Sequence, residues 1–155
     1  MRVEYLGNKA LLEQEMTAFL APGQVSPVAV LPTLDWATEM ARTGRAVVSG
    51  FSSRLEKEVF AVLARGASPI VKVMVQSRYK QVPTALRPLL DSNRLLIISL
   101  GLANRLSRQT AQRRNAFVVE MADEVVFPAA ISPTSSLYSL YANQRLGAKP
   151  IHLLT

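Results

Sequence analysis

Apolar residues along the chain gather in short, nearly continuous runs that are separated by segments with helical spacing. The runs cover residues 46–48, 70–75, 95–100, 125–127 and 151–154, and residues 17–21 form an earlier run that closes on a Pro-Gly turn. Continuous rather than alternating apolar runs are typical of strands buried on both faces, as in a parallel sheet. Because helical segments alternate with these strands, the sequence predicts βαβ units and a doubly wound α/β fold with a mostly parallel sheet.

The segments between the runs carry apolar residues at the spacing of amphipathic helices. Two stripes stand out: Leu55, Val59, Val62, Leu63, and Leu137, Leu140, Tyr141, Leu146. A further helix begins in an Arg-rich segment near residue 113 and continues through Val119. The first helix is expected between about residues 26 and 43, ending near Gly44, with Pro27 in its first turn and Pro32 delaying or kinking it.

Length and composition limit the class of protein. The 155 residues are 49% hydrophobic, which fits one domain spanning residues 1–155 with a real core. The chain has no cysteine and one histidine, so disulfides are excluded and no metal site is expected. The N-terminal segment lacks the apolar stretch of a signal peptide, and no run approaches the ~20 residues that span a bilayer. We therefore expect a cytoplasmic protein without a membrane partner.

The charge is basic and unevenly distributed. The formal net charge is +7, and the segment from residue 78 to 114 carries eight cations against the single acid Asp91. Most of these cations are arginines, which match phosphate geometry better than lysines and stack on bases. Such an excess favours an anionic partner, although a solvated basic face is the plain alternative.

Four loops are expected to meet at the edge of the sheet where parallel strands end and helices begin, which is where ligands bind in such folds. Small, hydroxyl-bearing or basic residues make up the candidate sites. The candidate ligand-binding residues are Gly23 and Gln24 in the first loop, Ser49, Gly50, Phe51, Ser52 and Ser53 in the second, Arg113, Arg114 and Asn115 at the third, and Thr134, Ser135 and Ser136 in the fourth.

The second and fourth loops also have explanations that need no ligand. Ser53 and Glu56 form the S-x-x-E pattern of a helix capping box. The hydroxyls around Ser135 can equally start a helix. No catalytic residue is expected, because Glu56 is the one acid near a predicted loop and capping accounts for it. The chain also lacks the G-x-x-x-x-G-K-[ST] and G-x-G-x-x-G fingerprints, so no cofactor is expected.

The order of these motifs resembles the Rossmann-like domain of the DNA-processing protein A family. The resemblance rests on Val47-Val48-Ser49-Gly50, on Glu56 at the position of a Gly-Ile-Asp motif, on Arg114-Asn115, on 132–137 and on Lys149-Pro150-Ile151. Residues 5–8 are similar to the lead-in before the family's first strand. Ala21-Pro22-Gly23-Gln24 departs from the family's Gly-Ser-Arg turn, so an anion-binding arginine is missing there. The fourth loop lacks the family's glycine, and Pro133 removes one N–H donor.

The resemblance implies binding of single-stranded DNA or a nucleotide, a RecA-type recombinase as a partner, and a homodimer. In this hypothesis Arg113 and Arg114 bind phosphates, Asn115 bonds a sugar or base, and backbone N–H groups of residues 50–53 receive a phosphate. The alternative is a small-nucleotide binder or sensor related to phosphoribohydrolases, with little or no catalysis. A third hypothesis is a basic oligomeric scaffold in which the ligand-binding crevice of such folds no longer has a function. Tyr79, Tyr138 and Tyr141 are the candidates for base stacking.

Overall fold

Seven strands form one sheet in the computed structural model, which describes residues 2–147 and 149–155 except for the side chains of residues 144–146. The strands are β1 (Glu4–Gly7), β2 (Met16–Phe19), β3 (Ala46–Ser49), β4 (Ile70–Met74), β5 (Leu95–Ser99), β6 (Glu124–Phe127) and β7 (Ile151–Leu153). Their spatial order is β1-β5-β4-β3-β2-β6-β7. All neighbouring pairs are parallel except β1 with β5, which is antiparallel.

The strand order reverses at β2. From β2 the chain adds β3, β4 and β5 on one side, then returns to place β6 on the other side of β2. The carboxyl ends of β2 and β6 therefore lie side by side while their following connections diverge. In a doubly wound sheet this reversal opens a crevice.

The helices are α1 (Val30–Thr43), α2 (Arg54–Ala64), α3 (Arg87–Asp91), α4 (Arg108–Met121) and α5 (Tyr138–Leu146). Alternate residues of the strands point into two separate cores, so that Ala18 and Val48 face α4 and α5, whereas Phe19 and Val47 face α1 and α2. Both faces of the sheet are thus covered. The predicted doubly wound α/β fold is confirmed.

The first helix begins later than its sequence pattern starts. A 3-10 turn at Pro27–Ala29 precedes α1, and Pro32 is the third residue of the helix, where a backbone N–H has no helical partner to lose. Gly44 follows α1 with φ of +73°, the left-handed conformation that favours glycine at a helix end. The expected end near Gly44 is therefore confirmed, and Pro27 lies in the first turn of the helical segment as predicted. The predicted delay by Pro32 is wrong, because α1 begins at Val30, before the proline.

The amino-terminal segment differs from expectation, because residues 5–8 belong in part to strand β1 rather than to an irregular lead-in. Glu4 pairs with Ser99 and Gly7 with Leu96, so β1 covers the free edge of β5. A four-residue edge strand buries little apolar surface and has only a weak hydrophobic pattern, which is why the sequence did not predict β1 as a strand. The short helix α3 was also not predicted. The side chain of Leu146, expected on the apolar stripe of α5, lies outside the described part of the chain.

Within the described residues, no helix is both long and apolar enough to cross a membrane.

Candidate nucleic-acid interface

A crevice of about 620 Å³ opens where the strand order reverses, between the loop after β2 and the loop after β6. Gly23 and Gln24 line one wall, and Thr134, Ser135 and Ser136 line the other. The structure thus brings together the first and fourth predicted loops. The crevice contains one charged lining residue, Arg108 at the start of α4, and no acidic one among the described residues.

The fourth loop is shaped by its own hydroxyl groups. The Oγ of Ser132 accepts a hydrogen bond from the N–H of Thr134 at 3.3 Å, and the Oγ of Ser135 accepts one from the N–H of Leu137 at 3.2 Å. The side chain of Gln112 on α4 donates to the carbonyl oxygen of Ser136 at 3.2 Å. These bonds hold the crevice wall against the start of α4.

The second loop uses its backbone donors internally. The N–H of Phe51 donates to Ser49 Oγ at 3.0 Å, and those of Ser52 and Ser53 donate to Glu56 Oε1 at 3.0 and 3.2 Å. The Oγ of Ser53 accepts from the N–H of Glu56, which completes the predicted capping box. Three of the N–H groups predicted to receive a phosphate therefore already have partners within the chain.

Glu56 also joins the second loop to the first. Its Oε2 accepts a hydrogen bond from the N–H of Ala21 at 3.0 Å, and the side chain is buried. A buried carboxylate is stable in the protein when several donors surround it. Glu56 is thus a structural anchor for two loops and not a free acid facing a cavity.

Phe51 adopts an unusual backbone conformation in the same loop. Its φ is +48°, which costs a bulky residue free energy, and its ring is buried against Phe60 with ring centroids 5.1 Å apart. The favourable free energy of burying this ring compensates for the cost of the backbone conformation. The turn is consequently fixed in one shape by its aromatic residue as well as by Glu56.

Arg114 and Asn115 lie inside the molecule. Arg114 is 3% and Asn115 6% exposed, and the Arg114 Nε and Nη2 donate to Asn115 Oδ1 at 3.2 and 3.0 Å. Burial lowers the pKa of the Arg114 guanidinium and the Glu56 carboxylate opposes this change, although an arginine keeps its charge in proteins. Arg113, by contrast, is exposed on α4. The two adjacent arginines therefore occupy different environments.

A second cavity, of about 430 Å³, lies at the same edge of the sheet beyond β3 and β4. Gly50, Phe51 and Ser52 line it together with Arg114, and so do Lys57 and Lys72. The second loop and Arg114 therefore meet at this cavity and not at the crevice. Burial, followed by the positive charges of Arg114 and Lys57, lowers the pKa of Lys72, and Glu56 only partly offsets this effect.

The basic segment divides into exposed and internal cations. Arg105, Arg108 and Arg113 are exposed and have no hydrogen-bond or ion-pair partner among the described residues. Arg94 instead donates to the carbonyl oxygens of Leu63, Ala64 and Ser68 at 2.9, 3.2 and 3.1 Å, where it stabilises the end of α2. Arg94 is thus structural, whereas Arg105, Arg108 and Arg113 place accessible positive charge on α4 and the loop before it. Arg78, Lys80 and Arg87 are exposed as well.

The three tyrosines considered for base stacking also differ. Tyr141 is 4% exposed and packs edge-on against Phe127, whereas Tyr138 is 37% exposed at the start of α5. Tyr79 lines the second cavity, and burial raises the pKa of its phenol. Tyr138 is therefore the accessible ring beside the fourth loop.

Sequence reasoning did not select Arg108 and Lys72, which line the crevice and the second cavity. Lys72 interrupts the apolar run of β4, and its neighbours Val71 and Val73 are fully buried. A lysine in the middle of a buried strand is uncommon, and that signal could have pointed to the second cavity. Arg108 carried no comparable signal, because its place in the crevice depends on the reversal of the strand order.

Comparison with solved structures supports the fold. DNA processing protein A from Helicobacter pylori, which binds single-stranded DNA, matches with a TM-score of 0.71 at 20% identity, over 96% of this chain and 69% of that one. The protein of the same name from Streptococcus pneumoniae matches with a TM-score of 0.73 at 16% identity, over 96% of this chain and 53% of that one. The chain therefore spans about half to two thirds of these proteins.

A third structure, the molybdenum cofactor carrier protein from Chlamydomonas reinhardtii, has a TM-score of 0.56 at 14% identity, over 92% of this chain and 77% of that one. No family model and no curated relative matches the sequence. The predicted resemblance is confirmed at the level of the fold, because the chain has the same α/β fold as the matched part of these two DNA processing protein A structures.

Proposed function

We propose that this chain binds single-stranded DNA in the crevice between the loops that follow β2 and β6. The observation that carries the proposal is the composition of that crevice. It is lined mainly by small and hydroxyl-bearing residues, with Arg108 as the one charged side chain among the residues that the structure describes. A phosphodiester backbone needs close approach, hydrogen-bond donors and positive charge without opposing carboxylates. The binding of single-stranded DNA by the Helicobacter pylori protein of the same fold supports the proposal.

The accessible cations extend the binding surface beyond the crevice. Arg105, Arg108 and Arg113 are exposed and unpaired within the described residues, so each is available to a phosphate. Tyr138 offers an exposed ring at the end of the fourth loop, on which a base can stack. Such binding is mainly electrostatic. For each phosphate that the protein neutralises, the logarithm of the association constant should fall by ~0.7 when the salt concentration rises tenfold.

The crevice supports binding rather than hydrolysis. Cleavage of an N-glycosidic bond needs a carboxylate or an equivalent group beside the sugar. No acidic residue lines the crevice in the described part of the chain, and Glu56 is occupied by three backbone donors. We therefore propose a binding protein without catalysis.

Fluorescence anisotropy of a labelled oligo-dT tests the proposal, with the wild type compared with Arg108→Ala and with Arg65→Ala. Arg65 is the matched control because it is exposed and lies at the carboxyl end of α2, at the opposite edge of the sheet from the crevice. Both variants lower the net charge equally. We expect wild-type binding that Arg108→Ala weakens and Arg65→Ala leaves nearly unchanged.

Two outcomes would contradict the proposal. Equal losses in both variants would mean that the protein attracts DNA only through its overall charge. Absence of wild-type binding at low salt would exclude DNA as the ligand.

The resemblance further suggests a RecA-type recombinase partner and a homodimer, and we propose both as secondary features. Val28 in the 3-10 turn before α1 and Leu31 in the first turn of α1 are 71% and 66% exposed, and a dimer would cover these apolar side chains. Sedimentation of the wild type and of Leu31→Glu tests the dimer. A monomeric wild type at micromolar concentration would contradict it.

A further inference from the structure

The second cavity continues into a third, more apolar one. The 430 Å³ cavity and a neighbouring cavity of about 230 Å³ share Phe51, Lys57, Lys72 and Tyr79 as lining residues. The smaller cavity is completed by Phe60, Pro83, Ala85 and Leu86. Together they form a site with one cationic part and one apolar, aromatic part, within the size range of small-molecule sites.

The cationic part holds more positive charge than the protein neutralises. Arg114, Lys57 and Lys72 line it, and no acidic residue does so in the described chain. Glu56 is the nearby carboxylate, but its oxygens accept from three backbone N–H groups. Lys57 and Lys72 have no hydrogen-bond or ion-pair partner among the described residues.

The positive charges of these three side chains repel one another. Arg114 is 3% exposed and Lys72 is partly buried, so water screens their repulsion only weakly. Partly buried cations without a partner cost free energy unless an anion binds between them. A dianionic phosphate accepts hydrogen bonds from both lysines and a guanidinium and would relieve the repulsion.

The apolar part indicates what the anion carries. The rings of Phe51, Phe60 and Tyr79 and the side chain of Leu86 surround a space next to the lysines. A planar base or another flat apolar group fits such a surface, and inorganic phosphate alone would leave it empty.

We propose that the joined cavities of Lys57, Lys72, Arg114 and Tyr79 form a second site, separate from the crevice, that binds a phosphate monoester bearing a planar group. A free mononucleotide and the 5′-phosphorylated end of a DNA strand share this chemistry. The site does not depend on the crevice, because Arg108 does not line it.

Calorimetric titration with thymidine 5′-monophosphate tests the site on the full chain. The proteins compared are the wild type, Lys72→Met, Lys57→Met and Lys80→Met, the last being an exposed lysine outside both cavities. We expect Lys72→Met and Lys57→Met each to lose about tenfold or more in affinity, and Lys80→Met to resemble the wild type. Inorganic phosphate should bind more weakly than the mononucleotide.

A second arm compares 5′-phosphorylated and 5′-hydroxyl oligo-dT by anisotropy. Tighter binding of the phosphorylated strand that Lys72→Met abolishes would assign the site to strand ends, and binding of the mononucleotide alone would assign it to a free nucleotide. Two results would overturn the proposal. One is that the wild type binds neither thymidine 5′-monophosphate more tightly than inorganic phosphate nor the 5′-phosphorylated strand more tightly than the 5′-hydroxyl strand. The other is that Lys72→Met and Lys57→Met both keep the wild-type affinity. Binding of the 5′-hydroxyl strand should respond to Arg108→Ala and not to Lys72→Met, which separates this test from that of the crevice.

Discussion

The guanidinium of Arg114 lies directly over the backbone of Gly50. A Cβ atom added at Gly50 would stand 2.3 Å from Arg114 Cζ, so only glycine leaves room for this contact. The Ser-Gly turn after β3 and the Arg-Asn pair of α4 are therefore one packed unit. Because Asn115 accepts two hydrogen bonds from the same guanidinium, the unit also fixes the direction of the Arg114 side chain.

Gly50→Ala should displace Arg114 and destabilise the fold. The added methyl group overlaps the buried guanidinium, which must move and give up its hydrogen bonds to Asn115, and overpacking typically costs about 1–3 kcal/mol. Urea denaturation measures the loss. Gly23→Ala is the matched control, because no heavy atom lies within 4 Å of a Cβ at Gly23. We expect that control to stay within about 0.5 kcal/mol of the wild type, and equal losses would contradict the packing argument.

Lys72→Met should raise the stability of the protein near neutral pH. The folded protein lowers the pKa of Lys72 from 10.5 through burial, Arg114 and Lys57, so between the lowered pKa and 10.5 the unfolded chain binds more protons than the folded one. Wild-type stability therefore rises with pH across that window, while the variant lacks this rise. The advantage of Lys72→Met should be greatest at neutral pH and shrink as pH approaches 10.5.

Thermal denaturation of both proteins across this pH range checks the sign. Tyr79 lines the same cavities, and its raised pKa makes stability fall at high pH, but this contribution is common to both proteins and cancels in their difference. A Lys72→Met variant that is less stable than the wild type at neutral pH would show that Lys72 is not an uncompensated charge.

Glu56→Gln should destabilise the protein although it preserves the side-chain shape. The amide cannot accept all three backbone hydrogen bonds from Ala21, Ser52 and Ser53, and hydrogen bonds to a charged group are worth about 1.5–3 kcal/mol each. Glu58→Gln on the exposed face of α2 is the matched control. Equal denaturation midpoints for the two variants would contradict an anchoring role for Glu56.

Arg113→Ala and Arg114→Ala should separate binding from stability. Arg113 is exposed, so its loss should weaken DNA binding and leave the denaturation midpoint nearly unchanged. Arg114 is buried, so its loss should lower the midpoint, because a cavity forms and Asn115 loses its donors. Binding and denaturation measured on the same preparations test this. The reverse assignment would contradict the environments described for the two arginines.

The fold was largely predictable because its strands are buried on both faces. Residues 46–48, 95–100 and 125–127 show this as nearly continuous apolar runs, and each lies in an observed strand or ends within one residue of it. Strand β1 was not predictable in the same way. It has four residues at a sheet edge, and its pairing with β5 is a tertiary contact that no local pattern reveals.

The candidate residues were selected from sequence motifs, but their grouping into separate cavities was not predictable from sequence. Gly23 and Ser135 meet because β2 and β6 are neighbours, and Gly50 meets Arg114 because α4 packs over the end of β3. The division into two cavities follows from strand order rather than from any motif. The positive φ of Phe51 was also not predictable from sequence, since an aromatic residue rarely adopts this conformation.

The most direct test of the central proposal is to follow backbone amide chemical shifts by NMR while oligo-dT is added at moderate salt. We expect the largest changes in residues 23–26 and 132–136 and near Arg108, which surround the crevice. Residues at the opposite edge, such as Gly44 and Arg65, should change little. Changes confined to that opposite edge, or spread evenly over all basic residues, would contradict the assignment of the crevice as the DNA site.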